Sequence, residues 1–133
     1  MRFQTLSITT IVLLLFIVSC SGRPVNTSGP GGNWTGESIC TIKDSPCHDE
    51  QVIYTVTEPD KAGKLQIQAD KVVNGQPQDM GTLDCVFDAK ASTVVCQMPQ
   101  GKWEFTIAGD KMTGTLTVTD GRLFRRISVA RVK

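Results

Sequence analysis

The chain has little of what most enzymes and nucleic-acid-binding proteins depend on. Its 133 residues include one histidine (His48), two Trp, one Tyr and five Phe. Neither a Gly-X-Ser-X-Gly nucleophile motif nor a phosphate-binding loop occurs in the sequence. So few aromatic residues cannot form a platform on which bases stack. We therefore expect neither an enzyme nor a cofactor-binding protein.

Neither positive nor negative charge predominates in the chain. The chain carries 14 basic and 13 acidic side chains, and without Arg2, which lies in a segment expected to be removed, each count is 13. Such a balance argues against nucleic acid as a partner. Acidic residues are scattered at the outward positions of predicted strands, which is the usual solvated arrangement.

The N-terminal segment has the pattern of a secretion signal. Arg2 provides a positive charge, and 8–18 is an apolar or hydroxyl-bearing run of the length found in cleaved signals. The run is too short to span a bilayer before polar residues follow. We predict that residues 1–19 are a signal peptide.

The end of this run, Ile17-Val18-Ser19-Cys20, resembles the lipobox of bacterial lipoproteins. The resemblance implies that Cys20 is lipidated, with acyl chains such as palmitate, and becomes the first mature residue. Because Ser21 is not Asp, it also implies an outer-membrane lipoprotein of the bacterial envelope that faces the periplasm. Residues 20–32, rich in Gly and Pro, would be a flexible tether. The alternative is a secreted protein whose Cys20 lies within the discarded signal.

From residue 33 to 133 the hydrophobic pattern has period two, interrupted by turn signals about every ten to twelve residues. This pattern predicts one all-β domain of eight strands. They are Trp34–Ile42, Gln51–Thr57, Lys64–Val73, Asp79–Phe87, Thr93–Met98, Lys102–Ala108, Lys111–Thr119 and Arg122–Val132.

The short turns fix the strand register. A turn at Gly109-Asp110 would place Trp103 opposite Leu116, and a turn at Asp120-Gly121 would place Leu116 opposite Arg125 and Val118 opposite Leu123. Eight such strands with one apolar face either close into a barrel or stack as a sandwich. Consecutive hairpins favour closure, because closure removes the edge strands. We predict a single eight-stranded antiparallel up-and-down β-barrel.

Gly32-Asn33-Trp34 on the first strand and Arg131 on the last resemble the Gly-X-Trp motif and late Arg of the calycin superfamily, which includes lipocalins and avidins. The resemblance implies a lipocalin-like barrel in which Trp34 plugs the closed end and Arg131 packs over it in a cation–π contact. The domain is shorter than most lipocalins and lacks their C-terminal helix.

With Cys20 lipidated, four cysteines remain, an even number in an oxidising compartment. The turn at 88–92 places Cys85 opposite Cys96, close enough for a cross-strand disulfide, and Cys40 and Cys47 would close the first loop. A metal site at Cys40, Cys47 and the neighbouring His48, Asp49 and Glu50 is the alternative.

If Trp34 marks the closed end, loops 43–50, 74–78, 99–101 and 120–121 surround the open mouth. Inward residues near this mouth are the candidate ligand contacts: Tyr54, Met98, Trp103, Leu116 and Arg125. An arginine on an apolar interior face needs a partner. The partner is either a ligand carboxylate or phosphate or an internal group, unless the side chain reaches water at the rim.

Two functions remain open. The first is a lipid-anchored carrier that holds a small apolar or amphipathic ligand in the barrel. The second is an envelope interaction or inhibitor module with a filled barrel, whose mouth loops contact a protein partner. A purely structural envelope lipoprotein is a third reading.

Overall fold

A computed structural model describes residues 29–133. The predicted signal peptide, Cys20 and most of the tether lie outside these residues. Within them the chain forms eight strands: β1 Gly32–Cys40, β2 Glu50–Val56, β3 Lys64–Val73, β4 Gln76–Asp88, β5 Thr93–Met98, β6 Gly101–Ala108, β7 Lys111–Val118 and β8 Leu123–Arg131. In this part of the chain no helix is long and apolar enough to cross a membrane.

The eight strands form a closed barrel in sequence order, each antiparallel to the next. Closure is made by β1 and β8, which pair over seven residues from Trp34–Arg131 to Cys40–Arg125. The predicted all-β, eight-stranded barrel is therefore confirmed. Alternation of buried and exposed positions along the strands, most regular in β6, directs one side chain in two to the interior.

The hairpins of the second half have the predicted register, with one exception. Trp103 pairs with Leu116, and Leu116 pairs with Arg125. The prediction that Val118 pairs with Leu123 is wrong, because the register shifts after Leu116 and Thr117 takes that place. Val118 instead closes the turn: its N–H donates to the Arg122 carbonyl at 3.0 Å, and its own carbonyl accepts from Gly121 N–H at 2.9 Å.

The hairpin between β3 and β4 is longer than predicted. Residues 74–78 were expected to form a loop at the mouth, but β4 already begins at Gln76, and Pro77 pairs with Val72. Asn74 and Gly75, with φ of +51° and +77°, form a two-residue turn of the kind that matches strand twist. Further along, the register shifts after Ala69, so that β4 has one extra residue at this point.

The closed end of the barrel is filled with side chains. Trp34 and Met112 are both fully buried here. Trp34 Nε1 donates a hydrogen bond of 2.9 Å to the Pro30 carbonyl. The residues that precede β1 are thereby held against this end.

Both predicted disulfides are present. Cys85–Cys96 crosses between β4 and β5 with a Cα–Cα distance of 4.1 Å, and Cys40–Cys47 closes the loop after β1 with a Cα–Cα distance of 5.9 Å. Because Cys40 and Cys47 are bonded to each other, they offer no thiolate pair to a metal ion. The disulfide interpretation therefore replaces the metal interpretation at these two residues.

Candidate functional site

A cavity of about 270 Å³ lies inside the barrel toward its open mouth. Its walls are mostly apolar and aromatic, and its polar groups are contributed by strands β1, β2 and β8. The lining residues are Ser38, Glu50, Tyr54, Ile67, Ala69, Met80, Gly81, Leu83, Met98, Trp103, Phe105 and Arg125. An apolar hollow with a few convergent polar groups is the usual form of a small-molecule site.

Three aromatic rings form one wall of this cavity. Trp103 and Phe105 lie nearly parallel, with ring centroids 5.9 Å apart, and Tyr54 meets Phe105 edge to face at 6.0 Å. Phe105 is buried in the core, whereas Trp103 is half-buried. Both contacts have geometries that aromatic pairs prefer, so the three rings support one another.

Tyr54 is deeply buried, with 3 % of its surface exposed. Within residues 29–133 its hydroxyl has no hydrogen-bond partner, although Tyr54 lines the cavity. Burial raises the pKa of Tyr54, while the positive charge of Arg125 acts in the opposite direction. The hydroxyl therefore stays protonated at neutral pH and is available as a hydrogen-bond donor. A hydroxyl that lines a cavity without a protein partner can bond to a ligand placed there.

Arg125 lies at the mouth end of the cavity and has internal partners. Its Nη1 is 3.4 Å from Glu50 Oε2. The same nitrogen donates to the carbonyl and hydroxyl oxygens of Ser38 at 3.3 and 3.2 Å, and to the His48 carbonyl at 3.3 Å. Side-chain exposures of 12 % for Arg125 and 15 % for Glu50 show that this ion pair is largely shielded from water.

All these contacts of Arg125 use a single nitrogen. In the part of the chain that the structure describes, no acceptor lies within hydrogen-bond distance of Arg125 Nε or Nη2, nor any donor near Glu50 Oε1. A guanidinium carries five N–H donors in a planar fork. The pair is therefore neutral as a unit, with donor and acceptor capacity left over on each side.

The disulfide loop positions two members of this network. Cys40 N–H donates to Asp49 Oδ1 at 2.9 Å, so the loop is closed by a hydrogen bond as well as by the Cys40–Cys47 bond. This closure presents the His48 carbonyl to Arg125 and leads directly into Glu50 at the start of β2. The disulfide loop thus helps to build the polar corner of the cavity, which we define as Tyr54, Glu50 and Arg125.

The barrel wall beside the cavity is incompletely bonded. Pairing between β4 and β5 covers three residue pairs, from Val86–Val95 to Asp88–Thr93. The Cys85–Cys96 disulfide follows at the next position on the mouth side. Beyond it, β4 continues toward the mouth with no ladder to β5 among residues 29–133. The covalent bond therefore holds the wall together where the hydrogen bonds stop.

Of the five predicted ligand contacts, the structure brings four to the cavity: Tyr54, Met98, Trp103 and Arg125. Leu116 does not line it; Leu116 is 9 % exposed and pairs with Trp103 and Arg125 in the wall. The ligand roles of all five stay predictions.

Eight of the lining residues were not among the predicted contacts, Ser38, Glu50 and Met80 among them. Ser38 is an even number of residues from Trp34 on β1, so the two face the same side of the strand. Glu50 is related to Tyr54 in the same way on β2. Strand alternation could therefore have identified both. Met80 could not be found in this way, because it lies at the shift in register between β3 and β4.

Comparisons with known proteins add no assignment: no family model matches this chain, and no curated protein sequence matches it.

Proposed function

We propose that this protein is a lipid-anchored binding protein of the bacterial envelope that holds one small amphipathic ligand in a lipocalin-like barrel. The observation that carries the proposal is the cavity: aromatic and aliphatic walls end at the corner formed by Tyr54, Glu50 and Arg125. Such a shape matches a ligand with an apolar body and one polar end. We propose neither catalysis nor a bound cofactor for it.

The size of the cavity limits the ligand. A volume of about 270 Å³ lies just below the range of about 300–1,000 Å³ typical for drug-sized ligands. The barrel would enclose a small molecule, or only one end of a longer chain that extends through the mouth. The Trp34–Arg131 pair and the strand order support membership of the calycin superfamily as part of the same proposal.

The proposed anchor gives the barrel an orientation. Gly31 and Gly29 carbonyls accept hydrogen bonds from Arg131, so the chain leaves the domain at the closed end. If Cys20 carries the lipid, the segment 20–29 spans at most about 30 Å. The closed end would then lie nearer the membrane, with the mouth directed into the periplasm.

Replacement of Cys20 by Ala tests the anchor. We expect the processed variant in the soluble periplasmic fraction, because two or more acyl chains are what makes membrane attachment stable. Persistent membrane association of the processed variant would contradict lipid anchoring.

Replacement of Ala69 by Phe tests the cavity. Ala69 is buried and lines the hollow, so the larger ring should occupy the ligand's space. With the protein in lipid nanodiscs, calorimetric titration with hexanol should show binding that Ala69→Phe abolishes. The control Ala108→Phe, at an exposed position of β6, should bind hexanol normally. Absence of binding in the unmodified protein would refute the proposal.

The interaction module is the second candidate. One observation favours it: the exposed loop 43–50 is internally ordered at the mouth, with Ser45 Oγ accepting from Cys47 N–H at 3.1 Å beside the disulfide. A rigid exposed loop suits recognition of a protein partner. Cross-linking in intact cells from a photoreactive residue at Asp44 would identify such a partner. If only solvent-quenched products form, this candidate fails.

A further inference from the structure

The polar corner of the cavity has a balanced charge. Arg125 and Glu50 neutralise each other at 3.4 Å, with most of both side chains out of contact with water. A ligand carboxylate placed here would meet Arg125 but would also approach Glu50, and the total charge would be negative. An ammonium group would meet Glu50 but would also approach Arg125, and the total charge would be positive. A buried charge left uncompensated is strongly unfavourable.

The same corner offers both kinds of hydrogen-bonding group. Tyr54 is 97 % buried as a residue and lines the cavity, and its hydroxyl, without a partner among residues 29–133, can donate to a ligand there. Arg125 also lines the cavity, and its Nε and Nη2 have no acceptor among these residues. Glu50 Oε1 can only accept. A complementary group must therefore accept and donate at neighbouring atoms while carrying no charge.

We propose that the polar end of the ligand is an uncharged amide. Its carbonyl oxygen accepts hydrogen bonds from Tyr54 and Arg125, and its N–H donates to Glu50. This inference rests on the proposed function and narrows its ligand to amide-bearing amphiphiles. Under this proposal Glu50 also rejects anions. It already neutralises Arg125, so a ligand carboxylate would find no uncompensated positive charge there.

Three probes of equal chain length separate head-group chemistry from size. They are hexanamide, hexanoate and hexylamine, titrated calorimetrically at neutral pH into the full chain in lipid nanodiscs, with empty nanodiscs as the blank. We expect hexanamide to bind at least about tenfold more tightly than either charged probe. Because this comparison uses the unmodified protein, it does not depend on a variant that folds.

Two variants then test the assigned contacts. Tyr54→Phe removes one donor and should weaken hexanamide binding by about two- to tenfold. Glu50→Gln keeps the size of the side chain but frees the charge of Arg125, so hexanoate should become the preferred probe. Glu37→Gln, the same exchange on an exposed outer face of β1, should leave the order of affinities unchanged.

The outcomes distinguish failure of the amide assignment from failure of the proposed binding function. If the unmodified protein binds hexanoate as tightly as hexanamide, or if Glu50→Gln leaves the preference unaltered, the amide assignment is overturned and the binding function stands. If none of the three probes and no hexanol binds, the binding function and the amide assignment fail together.

Discussion

The guanidinium of Arg131 lies 4.2 Å from the centre of the Trp34 ring, at the closed end of the barrel. The two residues are paired across β1 and β8, the strands that close the sheet. Arg131 also donates to the carbonyls of Gly29 and Gly31, and Trp34 donates to that of Pro30. The Trp34–Arg131 pair therefore lies where the barrel closes, fills its closed end and binds the residues that precede β1.

Loss of the Trp34 ring should be costly. Trp34 is fully buried, and replacement of such a residue by Ala typically lowers the free energy of unfolding by about 3–5 kcal/mol. Urea denaturation of the unmodified protein and of Trp34→Ala measures the difference. A loss below about 0.5 kcal/mol, the size of a surface effect, would mean that the ring does not plug the barrel.

The Cys85–Cys96 bond should stabilise the wall at the end of the β4–β5 ladder. It encloses a sequence separation of 11 residues, for which the loss of chain entropy in the unfolded state amounts to about 3 kcal/mol. The double variant Cys85→Ala/Cys96→Ala should lose about that much in denaturation, with the Cys40–Cys47 bond intact as an internal reference. An unchanged midpoint would show that the bond contributes nothing to stability.

Arg125 and Glu50 should depend on each other. Arg125→Met leaves the shielded Glu50 carboxylate without its cation, and we expect a destabilisation of about 2 kcal/mol, less than for a fully buried pair. The double variant Arg125→Met/Glu50→Gln should recover most of this loss, because no uncompensated charge remains. Equal stability of the single and double variants would argue against a shielded pair.

Tyr54 should resist ionisation. It is the only tyrosine of the chain, so near-ultraviolet phenolate absorbance reports this residue alone. Burial raises the pKa of Tyr54 above its ordinary value of about 10. Native protein should therefore show no phenolate until it unfolds at alkaline pH.

The same shift makes stability depend on pH. Above about pH 10 the unfolded chain releases the phenol proton while the folded protein keeps it, so the free energy of unfolding should fall by as much as about 1.4 kcal/mol per pH unit. Tyr54→Phe should lose this component of the alkaline dependence. A native phenolate titration near pH 10 would contradict the buried placement of the ring.

The sequence was sufficient for the barrel because period-two alternation and two-residue turns are local signals. The pairing of Trp103 with Leu116 and the Cys85–Cys96 bond follow from turn position and parity alone. Features that depend on irregular backbone could not be read in this way. The shift after Leu116 and the extra residue of β4, Met80, each move the register by one, and the hydrophobic pattern gives no sign of either.

In the candidate site, too, some features could be predicted from local sequence signals and others could not. Arg125 was identifiable because a charge on an apolar face is conspicuous, and Tyr54 because it follows strand parity. Which partner Arg125 has could not be predicted, since Glu50 and Ser38 belong to other strands and the His48 carbonyl to a loop. Cavity volume depends on how side chains distant in sequence pack, so the sequence alone does not predict it.

Native mass spectrometry of the processed Cys20→Ala variant, which we expect in the soluble periplasmic fraction and which can therefore be purified without detergent, tests the central claim most directly. We predict a reproducible added mass, corresponding to one small molecule, that disappears on solvent extraction and is absent from Ala69→Phe but retained by Ala108→Phe. A bare protein mass that stays bare after incubation with a cell lipid extract would contradict a ligand-holding barrel.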